Sequence, residues 1–308
     1  MSTLTAKAVS KVSKDKQVAA ESSLWSQSLR RIRKNKLAVI CFWFIVFMFA
    51  ACFIGPFFSP YADNKINTLV MNNAPSLSHW LGTDMLGRDV LTRLLQAGRI
   101  SLTVGIASMA LSVTIGFVLG AIAGYYRGVV DQIIMRIADL LLTIPNLPIL
   151  FIVGALLSDW KMPTEYRMYV VMIMLSVIGW PGLARLIRGQ LLSLREREFM
   201  QATIVLGLRD HRKLFNHILP NMVPLLIVIS TLNVGGAILS ESILSFFGLG
   251  VMPPTATWGN MIDSANNLMD FELRPWLWIP PGMAIFLTVI AINMFGDGLR
   301  DALDPKQK

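Results

Sequence analysis

The run GTDMLGRD, residues 82–89, sets Gly82 and Gly87 beside Asp84 and Asp89, with Arg88 between them. Glycines so spaced suit a loop that cradles phosphate, but the Lys and Ser/Thr that would complete it do not follow. Two carboxylates suit a hard cation, but no further oxygen ligands lie close by. The same residues read more simply as a turn, with glycines at the bends, Asp84 and Asp89 as caps and Arg88 as a hydrogen-bonding staple. His79, His211 and His217 stand far from any nucleophile and read as surface or capping residues; the sequence has no H-E-x-x-H and no G-x-S-x-G. Two acids fall in apolar stretches. Asp139 lies one turn beyond Arg136, the spacing of an i,i+3 pair. Glu241, in SESILSFFGLG, either lines a wet path or sits near the outer end of its helix, and the sequence leaves both open.

The elements that carry these residues are apolar. The chain has 308 residues, of which 54% are hydrophobic and 15% charged, a balance too greasy for a soluble domain of this length. Crossing the hydrocarbon core takes about 20 apolar residues. The runs that reach it are Leu37 to Phe58, Ser101 to Tyr125, Ile133 to Leu157, Met168 to Ile187, Met222 to Phe247 and Trp276 to Gly296. The expected fold is therefore all-α and polytopic, with six transmembrane helices. Cys41 and Cys52 share the first run and read as packing residues rather than a disulfide. The third run is the weakest, interrupted by Pro145 and Pro148. These prolines, with Pro181, Pro280 and Pro281, predict kinks.

Charge orients the spans. If the N-terminus is inside, 19 Lys and Arg fall on the inner side and 7 on the outer, which places both termini in the cytoplasm. The net charge of +9 thus reflects topology, and no nucleic-acid partner is expected. The chain divides into a basic cytoplasmic tail over 1–36, flexible to about Ser22, a first span and external loop over 37–100, a membrane core over 101–296, and a C-terminal tail over 297–308. In the first external loop Asp89 caps a short interfacial helix that gathers Val90, Leu91, Leu94 and Leu95 on one face ahead of span two. The last external loop, with Pro253, Pro254 and Trp258 followed by Trp276 and Trp278, suits the headgroup level.

The inner loop, 188–220, contains QATIVLGLRDHRKLFNHILPN. Its pattern predicts a helix from Glu198 to Leu206, a turn at Gly207, and a second helix from His211 to Ile218 capped by Asp210 and stopped by Pro220. Leu214 and Ile218 form an apolar ridge on the second helix. Such a ridge needs a protein partner or the chain's own helix ends, and the pattern does not choose.

This stretch resembles the cytoplasmic coupling loop of ABC importer permeases, written E-A-A, three residues, Gly, nine residues, then I-x-L-P. Gln201, Ala202 and Thr203 take the first positions, Gly207 falls at the right distance, and Leu219 and Pro220 close the motif. Gln201, Thr203 and His217 depart from its usual acid, second Ala and Ile. From about Leu24 onward the blocks LGTDMLGRDVLTRLL, GRISLTVGIAS, LIRGQLLSLREREFMQA, HILPN, ESILSFFGLG and GDGLRDALDP together resemble the C-type permease subunit of oligopeptide and dipeptide importers, within the peptide/nickel group. The resemblance implies a type I ABC importer permease in the bacterial plasma (inner) membrane. It also implies a second homologous permease chain, two ATPase subunits that bind the ATP, and an extracytoplasmic solute-binding protein. Gln201, Ala202, Thr203, Gly207, Leu214, Ile218, Leu219 and Pro220 would form the loop that engages an ATPase. The chain itself would hold no cofactor and no metal and would not be an enzyme. Its cargo would be oligopeptides or dipeptides, with nickel or another small solute as the alternative. An ion-coupled secondary transporter fits less well, since no inverted repeat or set of buried mid-membrane ionisable residues is evident.

Overall fold

A computed structural model describes residues 24–303 except 63, 199, 201, 202, 204 and 205. The tail through residue 23 and the final residues 304–308 lie outside it, as do Gln201 and Ala202 of the 188–220 loop. Among the described residues the regular structure is helical, and the one β-bridge joins Thr83 to Asp89. The main helices are α1 (Leu24–Lys34), α2 (Lys36–Ile54), α3 (Val90–Tyr126), α4 (Gly128–Thr143), α5 (Asn146–Asp159), α6 (Thr164–Arg195), α7 (Leu219–Phe246) and α8 (Ile279–Leu303). Of these, α2, α3, α6, α7 and α8 are each long and apolar enough to cross a membrane, and α4 with α5 makes a sixth, broken span. Two of the spans begin at side-chain caps. Asn35 accepts the Ala38 N–H ahead of α2, and Asp89 accepts the Thr92 N–H ahead of α3.

Several elements differ from the sequence expectation. The helix begun at Asp89 does not end before span two: it runs unbroken for 37 residues through Tyr126. No proline interrupts it, and Gly98 is held against Cys52 and the ring of Trp258, so the cap belongs to the span itself. The third span is not merely kinked; α4 and α5 meet at 83°. Ile144 precedes a proline, which forces it out of the helical region to φ −89°, ψ 127°. Pro280 and Pro281 do not kink α8, because they fall in its first turn, where no intrahelical N–H is required. Asp139 does not pair with Arg136. It bonds Arg185 of α6, because the packing of α4 on α6 brings that guanidinium across.

The most extensive helix pair is α3 with α6. Gly116, Gly120 and Gly124, spaced one turn apart on α3, face Trp180, Leu183, Ala184, Ile187, Arg188 and Leu191 of α6. A Cβ at Gly120 would lie 2.5 Å from the Ala184 carbonyl oxygen, so only glycine lets the backbones meet there. A bidentate pair from Arg188 on α6 to Asp131 on α4, at 2.5 Å for each bond, ties the broken span to the same helix. Alternating span direction gathers 24–36, 127 and 196–218 at one end of the bundle and 55–89, 160–163 and 247–278 at the other. Gly120→Val should lower stability by about 2–3 kcal/mol through forced separation of α3 and α6. Thermal unfolding in detergent measures this, and an unchanged midpoint would show that the close approach carries no weight.

Candidate functional site

The described residues of 196–218 lie between α6 and α7, at the end of the bundle that they share with α1. Met200 and Thr203 are helical and buried, and Thr203 Oγ1 donates to the Met200 carbonyl at 2.7 Å. Gly207 then takes φ +63° while the Leu208 N–H returns to the Thr203 carbonyl at 3.2 Å. That pairing, with a left-handed residue just before the donor, is a Schellman helix ending. Nothing lies within 4 Å of a Cβ built on Gly207, so glycine is needed there for its backbone and not for space. The exposed tip consists of Leu206, 73% accessible, with Gly207, Arg209, Asp210 and Arg212.

The second half of the segment departs from its expected form. Asp210 does not cap it. Arg209 holds the N-cap position, and the helix that starts at Asp210 continues through a π-helical turn, Lys213–Ile218, into α7. Pro220 therefore does not stop a helix; it sits in the first turn of α7. A proline there has no N–H to return to the preceding turn. The wider π turn absorbs the mismatch, with the Leu219 N–H reaching back to the Leu214 carbonyl. The apolar ridge turns inward. Ile218 is 1% exposed and packs with Ala121, Tyr125, Ile187, Leu191, Met200 and Met222, while Leu214 lies against the same cluster. The ridge thus serves the chain's own helix ends, whereas Leu206, Gly207, Arg209, Asp210 and Arg212 stay exposed.

A chain of polar contacts, without any local sequence signal, connects that tip to the bundle. Arg195, at the end of α6, donates to the Tyr125 carbonyl at the end of α3 and lies 5.3 Å from the Tyr125 ring centroid. The Tyr125 hydroxyl donates to Asp210, which also meets Lys213 Nζ at 3.4 Å. The Tyr125 hydrogen bond, helped by Lys213 and only partly offset by desolvation, holds the Asp210 carboxyl below its ordinary range. The ends of two spans and the exposed loop are therefore coupled through three side chains.

At the opposite end the GTDMLGRD turn satisfies itself. Gly82 and Gly87 both have φ +70°. Asp84 accepts the Leu86 and Arg88 N–H groups and the Arg88 Nε at 2.7–3.0 Å. Asp89 accepts from the Thr92 backbone and hydroxyl and bonds His79 Nδ1 at 2.9 Å. Glu241 is fully enclosed between α3, α7 and the loop before Trp258. Ser101 and Ser245 donate to its two oxygens at 2.9 and 2.7 Å. Ser101 in turn accepts the Trp258 N–H, and Ser245 accepts the Val251 N–H. The carboxylate thus pins residues 251–258 against the spans.

Comparison with known proteins agrees with this architecture. The family model for binding-protein-dependent transport system inner membrane components matches residues 116–308, and that for the N-terminal TM domain of oligopeptide transport permease C matches residues 23–75. The oligopeptide transport system permease protein OppC of Haemophilus influenzae is 40% identical over 93% of this chain and 90% of its own. The dipeptide transport system permease protein DppC of Bacillus subtilis is 39% identical over 90% of this chain and 84% of its own. The glutathione transport system permease protein GsiD of Pectobacterium atrosepticum is 39% identical, with 92% of each chain covered. The chain belongs to the family of binding-protein-dependent transport system inner membrane components. It is a multi-pass permease component of a bacterial membrane.

Replacement of Tyr125 by Phe removes the hydroxyl that holds Asp210. Amide hydrogen exchange over 210–218 should accelerate several-fold while exchange in the α3–α6 core stays unchanged. Because the folded Asp210 carboxyl binds its proton less readily than an unfolded one, its contribution is present above the ordinary carboxylate range and is lost as pH falls through the lowered value. A matching loss of protection, measured against the intrinsic exchange rate at each pH, should therefore appear in the unmodified protein on acidification. No change in either experiment would show that the Tyr125 to Asp210 contact does not anchor the loop.

Proposed function

We propose that this chain is one of two homologous permease subunits of an ATP-driven importer and forms, with its partner, the path for oligopeptides or dipeptides. The curated relatives named for oligopeptide, dipeptide and glutathione transport support that cargo class. In this reading both termini and the 188–220 loop face the cytoplasm, two ATPase subunits bind the ATP, and an extracytoplasmic solute-binding protein delivers the peptide. The permease is not itself an enzyme and holds no cofactor.

The observation that carries the reading is the exposed tip at Leu206 and Gly207, rigidly ended by its Schellman turn and linked through Asp210, Tyr125 and Arg195 to the ends of α3 and α6. A partner that binds this tip differently in its ATP-bound and ATP-free states would shift the bundle between two arrangements. Leu206 supplies the apolar contact, with Arg209 and Arg212 beside it. Gln201 and Ala202 lie outside the described residues; buried Thr203 and Ile218, with the Leu219–Pro220 turn, hold the described part of the loop to the spans rather than touch the ATPase.

A β-branched residue in the left-handed conformation of Gly207 costs roughly 1–2 kcal/mol or more, whereas Asn tolerates it. In the complete importer reconstituted in vesicles, Gly207→Val should abolish ATP-dependent uptake of a short peptide, and Gly207→Asn should retain most of it. Peptide binding by the solute-binding protein should stay intact in both. Normal uptake by Gly207→Val would remove the coupling role. Unlabelled peptide should compete for uptake and nickel should not; the reverse result would reassign the cargo.

A further inference from the structure

Midway along the bundle, α3, α5, α6 and α7 enclose a cleft of 210 Å³. Its lining includes neutral hydrogen-bonding side chains, Ser108, Ser112, Asn146, Asn233 and Ser240, and no charged residue. Ser108 is 1% exposed, and its hydroxyl has no hydrogen-bond partner among the described residues. Asn146 and Asn233 are exposed, the first at the break of the α4–α5 span and the second at the middle of α7. The side chain of Asn233 donates back to the Ile229 carbonyl of its own helix at 2.8 Å. One turn on, a Cβ at Gly236 would meet nothing within 4 Å.

Exposed carboxamides at membrane depth are costly against hydrocarbon. The face that carries them is therefore turned to water or to another chain. An orphaned buried hydroxyl beside them calls for a ligand that donates and accepts hydrogen bonds. Hydroxyl and carboxamide groups can do both, as can the N–H and C=O groups that a peptide presents at each residue. A charged wall would instead retain one class of side chain and repel the other. The volume is below the ~300–1,000 Å³ of a drug-sized pocket, so the cleft takes hold of part of a ligand as it passes rather than enclosing the whole.

We propose that this cleft is a peptide-backbone subsite on the transport path, where Ser108, Ser112, Asn146, Asn233 and Ser240 hydrogen-bond the amide groups of the passing chain without reading side-chain charge. The inference rests on the peptide-import function proposed above and adds the chemistry by which the path tolerates varied cargo.

The test uses the complete importer in vesicles, with its solute-binding protein, and two tripeptides that differ only in a central Lys or Glu. Asn233→Asp should shift the Lys-to-Glu uptake ratio about tenfold toward Lys, and Asn233→Lys should shift it about as far toward Glu. The affinity of the solute-binding protein for each peptide should not change. Uptake by both variants at the ratio of the unmodified importer would overturn the subsite. Asn233→Cys gives a second measure that does not need active variants. A membrane-impermeant thiol reagent should label it in the assembled complex, and excess peptide should slow labelling about threefold by competing for the same wall. Buried Cys41 and Cys52 set the background. Labelling by a lipid-soluble reagent alone, or labelling indifferent to peptide, would overturn the proposal. An unmodified importer that takes up neither tripeptide would instead refute the peptide function itself, a result seen before any variant is made.

Discussion

The approach of α3 to α6 along Gly116, Gly120 and Gly124 is the constraint on which the rest of the bundle depends. In lipid, burying apolar side chains gains little, since the surroundings are equally apolar, so helices associate through close packing and polar ties. Where the glycines bring two backbones together, the ends of α3 and α6 are fixed side by side. Arg195 can then reach the Tyr125 carbonyl, Tyr125 can hold Asp210, and Arg188 can grip Asp131 of the broken span. Those polar groups would have no fixed partners if the helices were an ångström or two further apart.

The two ends of the bundle are built differently. At the end with 247–278, Glu241 and its hydroxyl partners lock residues 251–258 onto the spans, and Trp258 fills the core beside Gly98 with its indole N–H on the Leu94 carbonyl. Every polar atom named there has an internal partner. At the end with 196–218, a short tip stays exposed on a buried base, and few side chains carry its position to the spans. Between the two ends lies a cleft with neutral polar walls and at least one unsatisfied hydroxyl. One end of the bundle is thus locked to its own loops, the middle is polar, and the other end carries an exposed tip tied to the spans by few side chains.

Residue by residue, legibility followed range. The caps at Asp84 and Asp89, the turn at Gly207 and the spans were legible because each rests on chemistry within a few neighbours. Pro220 reads locally as a stop, but a π turn absorbs a proline that an α-helix cannot, and no local pattern announces that turn. The i,i+3 rule offers Asp139 only Arg136 of its own helix, whereas the packed neighbour supplies Arg185. The stripe of Gly116, Gly120 and Gly124 carries a local signal of its own, small residues at every fourth position in an apolar run.

The sequence alone determined the all-helical membrane class, the number of spans, the charge asymmetry of the loops and the turn at Gly207. These follow from hydrophobic length, from Lys and Arg counts and from backbone conformations that only glycine takes readily. Tertiary structure alone decided whether Leu214 and Ile218 faced a partner or the chain itself, what Glu241 bonds, and which side chains tie the loop to the spans. Each of those answers depends on which helix end lies next to which, over separations such as the 85 residues between Tyr125 and Asp210 or the 140 between Ser101 and Glu241. A hydrogen bond across such a distance leaves no periodicity in the chain, because it is fixed by the packing of backbones and not by the spacing of residues.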